Sequence, residues 1–307
     1  MKIILTGGTG FIGGAVLKEL LEAGHSVSLL SRSERRSHSA AQKNLRTFAW
    51  DGKNQGIWSS EVNGADAVIN LAGEPIAQKR WTPAQKAVML NSRIDAARAI
   101  VAAIEKADKK PAVLVNASAV GFYGNVDSDD VPESYPKGTG YLADTCAQWE
   151  TEAREAEKLG VRVVLTRMGV VIDLGGGALE KFIPPFRFFF GGPLGSGKQW
   201  FPWVHREDAA GAILFALSHP NVFGPVNVAA PDPVTMRQFC DALGMAMRRP
   251  SWATVPAFAL RILLGEMAEM LIGGQCAIPK KLLDAGYKFR YPNLPEALED
   301  IFNQKGR

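Results

Sequence analysis

The sequence is poor in the features that mark secreted, membrane and metal-binding proteins. It has three cysteines in 307 residues, and their odd number and wide spacing argue against a disulfide framework or a Cys-x-x-Cys metal site. No apolar run reaches the ~18 residues that a membrane-spanning helix needs. The apolar run after Lys2 ends at Leu5, too soon for the core of a secretion signal. We expect a reduced, cytoplasmic protein with no membrane partner and no bound metal.

A strong excess of charge is also absent. Lys and Arg number 35 and Asp and Glu 31, which gives a net charge of +4 without a long basic run. Nucleic-acid-binding proteins concentrate positive charge on one face, so we expect a small-molecule substrate and no nucleic acid, and we leave open whether two copies form a homodimer. With 47% hydrophobic and 21% charged residues, the composition is that of an ordinary globular protein of about two domains.

The first thirty residues follow the order strand, turn, helix, strand. An apolar run over Lys2–Thr6 precedes a glycine turn, Phe11–Ala23 has apolar residues at helical spacing, and Ser26–Leu30 is the next strand. Further strands are predicted at 45–50, 65–71, 112–117, 161–166 and 223–228, helices over 83–106, 141–159 and 206–218, and a loop over 51–64. Buried strands that alternate with helices predict an α/β protein, a Rossmann doubly wound parallel sheet with a smaller, mainly helical C-terminal region.

The pattern changes after about residue 172, which predicts a division of the chain. Glycine and proline punctuate the segment that follows, and the end of the chain is mostly helical. We assign residues 1–174, with 205–230 returning to them, to the Rossmann domain. Residues 175–204 and 231–307 are assigned to a substrate-binding and C-terminal region.

A glycine-rich turn, TGGTGFIG, joins the first strand to the first helix. Gly7 permits the tight turn, Gly10 lets the backbone approach a diphosphate, and Gly13 lets the helix pack against the strand. The helix N-terminus also offers unpaired N–H groups and a positive dipole end. This strand-turn-helix context predicts a dinucleotide site. The predicted cofactor contacts in the turn are Gly7, Thr9, Gly10, Phe11, Ile12 and Gly13.

The end of the second strand indicates which dinucleotide binds. NAD sites usually carry Asp or Glu about 20 residues after the glycines, on the ribose 2′-hydroxyl. This chain has Ser31 and Arg32 there, and a hydroxyl and a guanidinium suit a 2′-phosphate, which a carboxylate would repel. Arg35 and Arg36 add positive charge, whereas Glu34 opposes it. These residues favour NADP(H).

Motifs along the chain resemble those of the extended short-chain dehydrogenase/reductases. The matching segments are TGGTGFIG at 6–13, NLAG at 70–73, Ser118 with FYG at 122–124, RMG at 167–169 and HRED at 205–208. Four further segments resemble the atypical "epimerase family" branch of this superfamily: GEPI at 73–76, KRW at 79–81, GGPLGSG at 191–197 and GGQ at 273–275. This branch is NAD-dependent epimerase/dehydratase-like and has its own C-terminal domain of unassigned function. The resemblance implies a Rossmann fold with bound NADP(H), and it adds Leu71, Ala72 and Gly73 to the cofactor contacts.

The resemblance also shows a gap in the expected catalytic residues. Most members use a Ser with a Tyr-x-x-x-Lys pair, in which the ammonium lowers the pKa of the tyrosine from about 10. Tyr141 is the candidate tyrosine here, but a threonine stands four residues later. Extended members often carry a Glu one helical turn after the lysine. Aligning this chain on Glu150 for that reason puts Leu142 at the tyrosine position and Cys146 at the lysine position. Ser118 remains, at the end of its strand.

Three interpretations of this gap stay open. Another cation replaces the lysine, with the candidates Lys137, Arg167, Lys79 and Arg80. A different acid or base assists hydride transfer, with the candidates Tyr123, Glu74 and His205. Alternatively, the protein binds NADPH without turnover, as a sensor or regulator that acts through a protein partner. Our first hypothesis is an NADP(H)-dependent oxidoreductase or epimerase acting on a small carbonyl or hydroxyl compound, with the catalytic residues Ser118, Tyr141 and Tyr123.

The densest group of aromatic residues follows the change of pattern. It comprises Phe182, Phe186, Phe188, Phe189, Phe190, Trp200, Phe201 and Trp203. Three settings suit such a group, and the sequence leaves them open: an apolar substrate pocket, a core beneath the C-terminal helices, and an interface patch.

Overall fold

The computed structural model describes residues 1–32, 43–127 and 130–303, and seven parallel strands form its main sheet. These strands are β1 (Lys2–Thr6), β2 (Ser26–Ser31), β3 (Leu45–Ala49), β4 (Ala67–Asn70), β5 (Val113–Ala119), β6 (Arg162–Met168) and β10 (Gly224–Val228). Their order across the sheet is β10-β6-β5-β4-β1-β2-β3, and every neighbouring pair is parallel. The predicted Rossmann fold is confirmed.

The strand order reverses at β1, which lies between β2 and β4. The chain first builds outward through β2 and β3, and then builds β4, β5 and β6 on the other side of β1. In open α/β sheets, ligands bind outside the carboxyl ends of the strands at such a reversal. The glycine-rich turn follows β1 directly, so the topology places it at the expected ligand site.

Helices cover both faces of the sheet. α1 (Phe11–Glu22) and α5 (Arg206–Ser218) lie on one face, and α2 (Pro83–Lys106) and α3 (Tyr141–Arg154) lie on the other. The other α-helices of the described residues are α4 (Leu179–Arg187), α6 (Met236–Met247), α7 (Ala257–Leu264), α8 (Glu269–Ile272), α9 (Lys280–Asp284) and α10 (Leu294–Asn303). Side chains alternate along β1, so Ile3 and Leu5 join the core under α1 and α5, whereas Ile4 joins the core under α2 and α3. Each such buried side chain contributes about 1.5–3 kcal/mol.

The prediction of a loop over 51–64 is wrong in part. A 3₁₀ helix spans Ile57–Val62, and Trp58 at its start is fully buried. The Trp58 ring lies 5.3 Å from the ring of Trp50, and both indole N–H groups donate to the carbonyl of Asn54. Trp50, Trp58 and Val62 pack in the core between the sheet and α2. This burial holds the segment against the sheet, although it has no regular apolar period.

A second core lies under the C-terminal helices. Its short strands are β7 (Val170–Ile172), β8 (Trp200–Phe201), β9 (Trp203–His205) and β11 (Val234–Thr235), in the pairs β7–β9 and β8–β11. Phe182, Phe186, Phe201 and Trp203 are buried there, and the rings of Phe201 and Phe239 lie 4.2 Å apart. This part of the aromatic group is core.

The remaining phenylalanines of the group have the opposite environment. Phe188, Phe189 and Phe190 are 73%, 53% and 63% exposed, beside the exposed Trp252. The single aromatic run in the sequence is therefore divided between a core and a surface.

The chain crosses between the two cores more than once. β10 returns to the main sheet beside β6, and α5 packs against α1. The boundary at residue 174 stays a prediction. In the part of the chain that the structure describes, no helix is both long enough and apolar enough to cross a membrane.

Candidate functional site

The glycine-rich turn after β1 is held in one tight conformation. Gly7 has a φ of +70°, and its carbonyl accepts a hydrogen bond of 2.9 Å from the N–H of Gly10. A Cβ on Gly13 would lie 2.2 Å from the Gly7 oxygen, and a Cβ on Gly7 would lie 2.5 Å from the Leu71 oxygen. Side chains at 7 and 13 would overlap backbone, so the turn needs glycine at both positions.

The first turn of α1 is open to an anion. Gly10 is the N-cap residue, no side chain caps the helix, and no acidic residue stands in its first turn. Free N–H groups and the positive end of the helix dipole therefore face the strand ends. Phe11 packs under the backbone of Gly176 and Gly177, where a Cβ would overlap its ring. This geometry suits the diphosphate of a dinucleotide, and Thr9, Ile12 and Gly13 lie in the same segment.

A buried chain of polar side chains joins the ends of β1, β4 and β5. The hydroxyl of Thr6 donates to Asn70 at 2.6 Å and accepts hydrogen bonds from the N–H groups of Leu71 and Ala72. The amide of Asn70 donates to Asn116 at 2.7 Å. These bonds fix the segment Leu71–Gly73 against Gly7. We did not single out Thr6, Asn70 or Asn116 from the sequence, although a polar residue at the end of each apolar strand was a usable signal.

The residues predicted to recognise the 2′-phosphate end β2, the strand beside β1. Ser31 is its last residue and is buried, and Arg32 follows it and is exposed. Glu34, Arg35 and Arg36 lie outside the described residues. Ser31 and Arg32 therefore lie at the carboxyl ends of the parallel strands, as the glycine turn does, on the strand next to β1.

Two of the predicted catalytic hydroxyls belong to a buried network. Ser118 donates to Glu150 at 2.7 Å, and Glu150 accepts two hydrogen bonds from Arg167, at 2.8 and 2.9 Å. Arg167 also donates to the Tyr123 hydroxyl at 2.9 Å, and this hydroxyl donates to Asn227 at 2.6 Å. All five side chains are less than 10% exposed.

The charges in this network compensate each other. Burial opposes the charge of Arg167, but the hydrogen bonds and the charge of Glu150, together with Tyr123, outweigh burial and raise the pKa of the guanidinium. Burial also raises the pKa of the Tyr123 phenol. Because Ser118 and Tyr123 already donate to buried acceptors, the structure gives both hydroxyls a structural role, and a catalytic role for either stays a prediction.

Tyr141 lies apart from this network, against α2. Its hydroxyl donates to the backbone carbonyl of Lys86 at 2.7 Å, and its ring packs edge-on against Trp81. Lys86 also places a cation near Tyr141: its Nζ lies 5.2 Å from the ring centre and 2.7 Å from a carboxylate oxygen of Glu266. The structure therefore does not bring the three predicted hydroxyls together. The sequence analysis did not predict a role for Lys86, because Lys86 lies on α2 and Tyr141 lies on α3.

The four cations proposed to replace the missing lysine have other partners or positions. Lys137 pairs with Asp144 at 2.6 Å, Lys79 lies 3.9 Å from Glu74, and Arg167 belongs to the buried network. Arg80 is exposed and approaches the backbone of Gly265. None of the contacts described for these four cations involves Tyr141.

Leu142 and Cys146, which the alignment on Glu150 puts at the tyrosine and lysine positions, lie near the end of β5. Leu142 packs against Gly121, where a Cβ would lie 3.3 Å from the leucine Cβ. Cys146 is buried, and burial raises the pKa of its thiol to about 11 although the charge of Arg93 lowers it. The thiol is therefore protonated at neutral pH and does not supply the positive charge of a lysine.

The last proposed acid or base, His205, caps a helix. Its ring is fully buried, and Nδ1 accepts a hydrogen bond of 3.2 Å from the N–H of Glu207 at the start of α5. Burial lowers the pKa of His205, so the ring is neutral at pH 7. This arrangement suits a structural cap.

A glycine turn of this geometry, at the strand-order reversal of a parallel sheet, is the mark of the Rossmann class of dinucleotide-binding folds. The model of the NAD dependent epimerase/dehydratase family matches residues 3–229, and the chain belongs to this family. Residues 255–301 match a domain of unknown function, DUF1731. The predicted resemblance to the epimerase family branch is confirmed.

Relatives of this branch match along nearly the whole chain. A chloroplastic homologue of epimerase family protein SDR39U1 from Arabidopsis thaliana is 40% identical over 306 residues, which are 98% of this chain and 86% of that protein. Epimerase family protein YfhF from Bacillus subtilis is 39% identical over 302 residues, 98% of each chain. The crystal structure of human epimerase family protein SDR39U1 (isoform 2) with NADPH superimposes with a TM-score of 0.85 at 32% identity and covers 99% of both chains.

Proposed function

We propose that this chain binds NADP(H) across the carboxyl ends of β1, β2 and β4 and acts as an oxidoreductase or epimerase on a small carbonyl or hydroxyl compound. The observation that carries the proposal is the open first turn of α1 beside β2, which ends at Ser31 and is followed by Arg32, with no acidic residue at either position. The human relative was crystallised with NADPH, which supports the same cofactor here.

The two phosphate groups of the cofactor have matching groups in the chain. The N–H groups after Gly10 bind the diphosphate, Arg32 binds the 2′-phosphate, and Leu71–Gly73 lie beside the turn. When bound, the nicotinamide supplies or accepts the hydride. The task of the chain is to hold a substrate oxygen near the end of β5 and to give it a proton or take one from it.

Arg32→Ala is expected to weaken NADPH binding at least tenfold and NADH binding less than twofold, because only NADPH carries the phosphate that a guanidinium would bind. Titration of cofactor fluorescence on the variant and the parent protein measures both affinities. Arg46→Ala is the matched control, an exposed arginine on β3 that pairs with Glu61 at 3.1 Å. Equal losses of affinity for the two cofactors in Arg32→Ala would show that Arg32 does not recognise the 2′-phosphate.

Among the predicted acid/base hydroxyls, the geometry favours Tyr141. It is half-buried, and its hydroxyl is bonded to a backbone carbonyl, whereas Ser118 and Tyr123 are fully buried in the Arg167 network. Tyr141→Phe is therefore expected to lower kcat by about 10²–10⁴-fold with little change in NADPH affinity. The assay follows the loss of NADPH absorbance with quinones and aldehydes. With sugar nucleotides it follows the interconversion of epimers by chromatography, because an epimerase regenerates its cofactor and causes no net loss of NADPH. Undiminished turnover in both Tyr141→Phe and Ser118→Ala would remove these residues as the acid/base pair.

A second candidate function follows from the same network. Ser118 and Tyr123 are already bonded, and Leu142 and Cys146 stand where the alignment expects tyrosine and lysine. These substitutions suit an NADPH-binding regulatory protein that acts through a protein partner. Tight NADPH binding without any turnover across the substrate panel would favour this alternative over an enzyme.

A further inference from the structure

Arg93, on α2, places its guanidinium at the carboxyl end of β4. One nitrogen, Nη1, donates to the carbonyls of Glu74 and Met89 at 3.0 and 2.8 Å. The guanidinium carbon lies 5.2 Å from the ring centre of Trp149, and a Cβ on Gly73 would lie 3.2 Å from it. Arg93 is therefore held in place between α2, α3 and the segment that follows β4.

The Arg93 side chain is half-buried and has no carboxylate partner. Within residues 1–32, 43–127 and 130–303, no carboxylate oxygen lies within 4.0 Å of its guanidinium nitrogens, and the carboxylate of Glu74 lies 3.9 Å from Lys79. Its hydrogen bonds to described residues all come from Nη1, so Nε and Nη2 are without an acceptor there. Burial lowers the pKa of Arg93, although Cys146, Tyr141 and Glu74 partly offset this. A half-buried charge without an ion-pair partner is better stabilised when an anion occupies its free donors.

Other cations near the carboxyl ends of the strands or on α2 have carboxylate partners. Lys86 pairs with Glu266 at 2.7 Å, and Arg167 makes two hydrogen bonds to Glu150. Arg98, on the same helix as Arg93, is exposed and makes two hydrogen bonds to Glu152. Arg93 differs from these three cations because its free donors lie beside Gly73, a predicted cofactor contact. They are also close to Cys146 and to Tyr141, a proposed catalytic residue.

We propose that Arg93 binds the anionic group, a carboxylate or a phosphate, of the second ligand of this site, so that the substrate is an acidic carbonyl or hydroxyl compound. The planar fork of a guanidinium matches both anions. The inference rests on the proposed function for the position of the cofactor. The cofactor's own phosphates have the first turn of α1 and Arg32 as partners, which leaves the free donors of Arg93 for the substrate.

The test uses the full chain saturated with NADPH and three probes: pyruvate, its neutral methyl ester and inorganic phosphate. We expect pyruvate and phosphate to bind, by calorimetry and by a rise in Tm, and methyl pyruvate to bind at least tenfold more weakly than pyruvate. In Arg93→Met we expect anion affinity to fall at least tenfold, with NADPH affinity within twofold of the parent protein. Arg98→Met is the matched control and should bind the anions like the parent protein.

Arg93→Lys keeps the charge but loses the fork, so it should recover part of the anion affinity. It also replaces Arg93→Met if the loss of the hydrogen bonds to Glu74 and Met89 prevents folding. Unchanged anion binding in a folded Arg93 variant, or no anion binding by the parent protein with NADPH, would overturn the proposal. A parallel loss of NADPH and anion affinity would overturn it too, because Arg93 would then contact the cofactor. A parent protein that does not bind NADPH would refute the proposed function itself.

Discussion

Replacing Glu150 with alanine is expected to lower the free energy of unfolding by about 3–5 kcal/mol, because it leaves the buried charge of Arg167 without its counterion. Glu150 accepts two hydrogen bonds from Arg167 and one from Ser118, and all three side chains are at most 5% exposed. The partners that remain for Arg167 are the Tyr123 hydroxyl and the carbonyl of Glu133, which are both neutral. Urea denaturation of the variant and the parent protein measures the difference.

The matched control for Glu150 lies two residues further along α3. Glu152 also makes two hydrogen bonds to an arginine, Arg98, but that arginine side chain is 62% exposed. Exposed ion pairs contribute at most about 1 kcal/mol, so Glu152→Ala should change stability little. Glu150→Gln keeps the volume and an acceptor and should lie between the two alanine variants. Similar small losses for Glu150→Ala and Glu152→Ala would contradict a structural role for the Arg167 network.

Gly13→Ala is expected to weaken NADPH binding more than tenfold and to lower the free energy of unfolding by about 1–3 kcal/mol. The new methyl group would lie 2.2 Å from the Gly7 oxygen and 2.8 Å from the Gly8 Cα, so backbone must move. That movement displaces the first turn of α1 from the phosphate position, and each charge-assisted hydrogen bond that is lost costs about 1.5–3 kcal/mol. Cofactor titration and urea denaturation measure the two effects.

The next residue along the helix provides the control. A Cβ on Gly14 would meet its nearest neighbour, the Gly8 oxygen, at 3.9 Å, an ordinary contact. Gly14→Ala should therefore leave NADPH binding unchanged and stabilise the helix by roughly 0.5–1 kcal/mol, because alanine is the better helix former. If Gly13→Ala bound NADPH as tightly as Gly14→Ala, the glycine turn would not be the phosphate site.

The fold could be predicted from the sequence because its signals are local. Most strands of the main sheet are short apolar runs, and the predicted and observed bounds of the strands and large helices differ by only a few residues. The glycine turn was also predictable, since Gly10 and Gly13 approach the Gly7 carbonyl within one motif, whereas the approach of Gly7 to Leu71 depends on the fold. The 3₁₀ helix around Trp58 was missed because its burial depends on residues far away in sequence and not on a regular spacing of apolar residues.

The sequence by itself thus determined the Rossmann architecture, the glycine turn and the absence of a lysine four residues after Tyr141. Only the tertiary structure decided which side chains meet, because Ser118, Glu150 and Arg167 come from three different elements. The unpaired guanidinium of Arg93 is likewise a property of α2, α3 and the end of β4 together. Spacing along a chain specifies backbone conformation, whereas the partner of a charged side chain depends on residues far away in sequence.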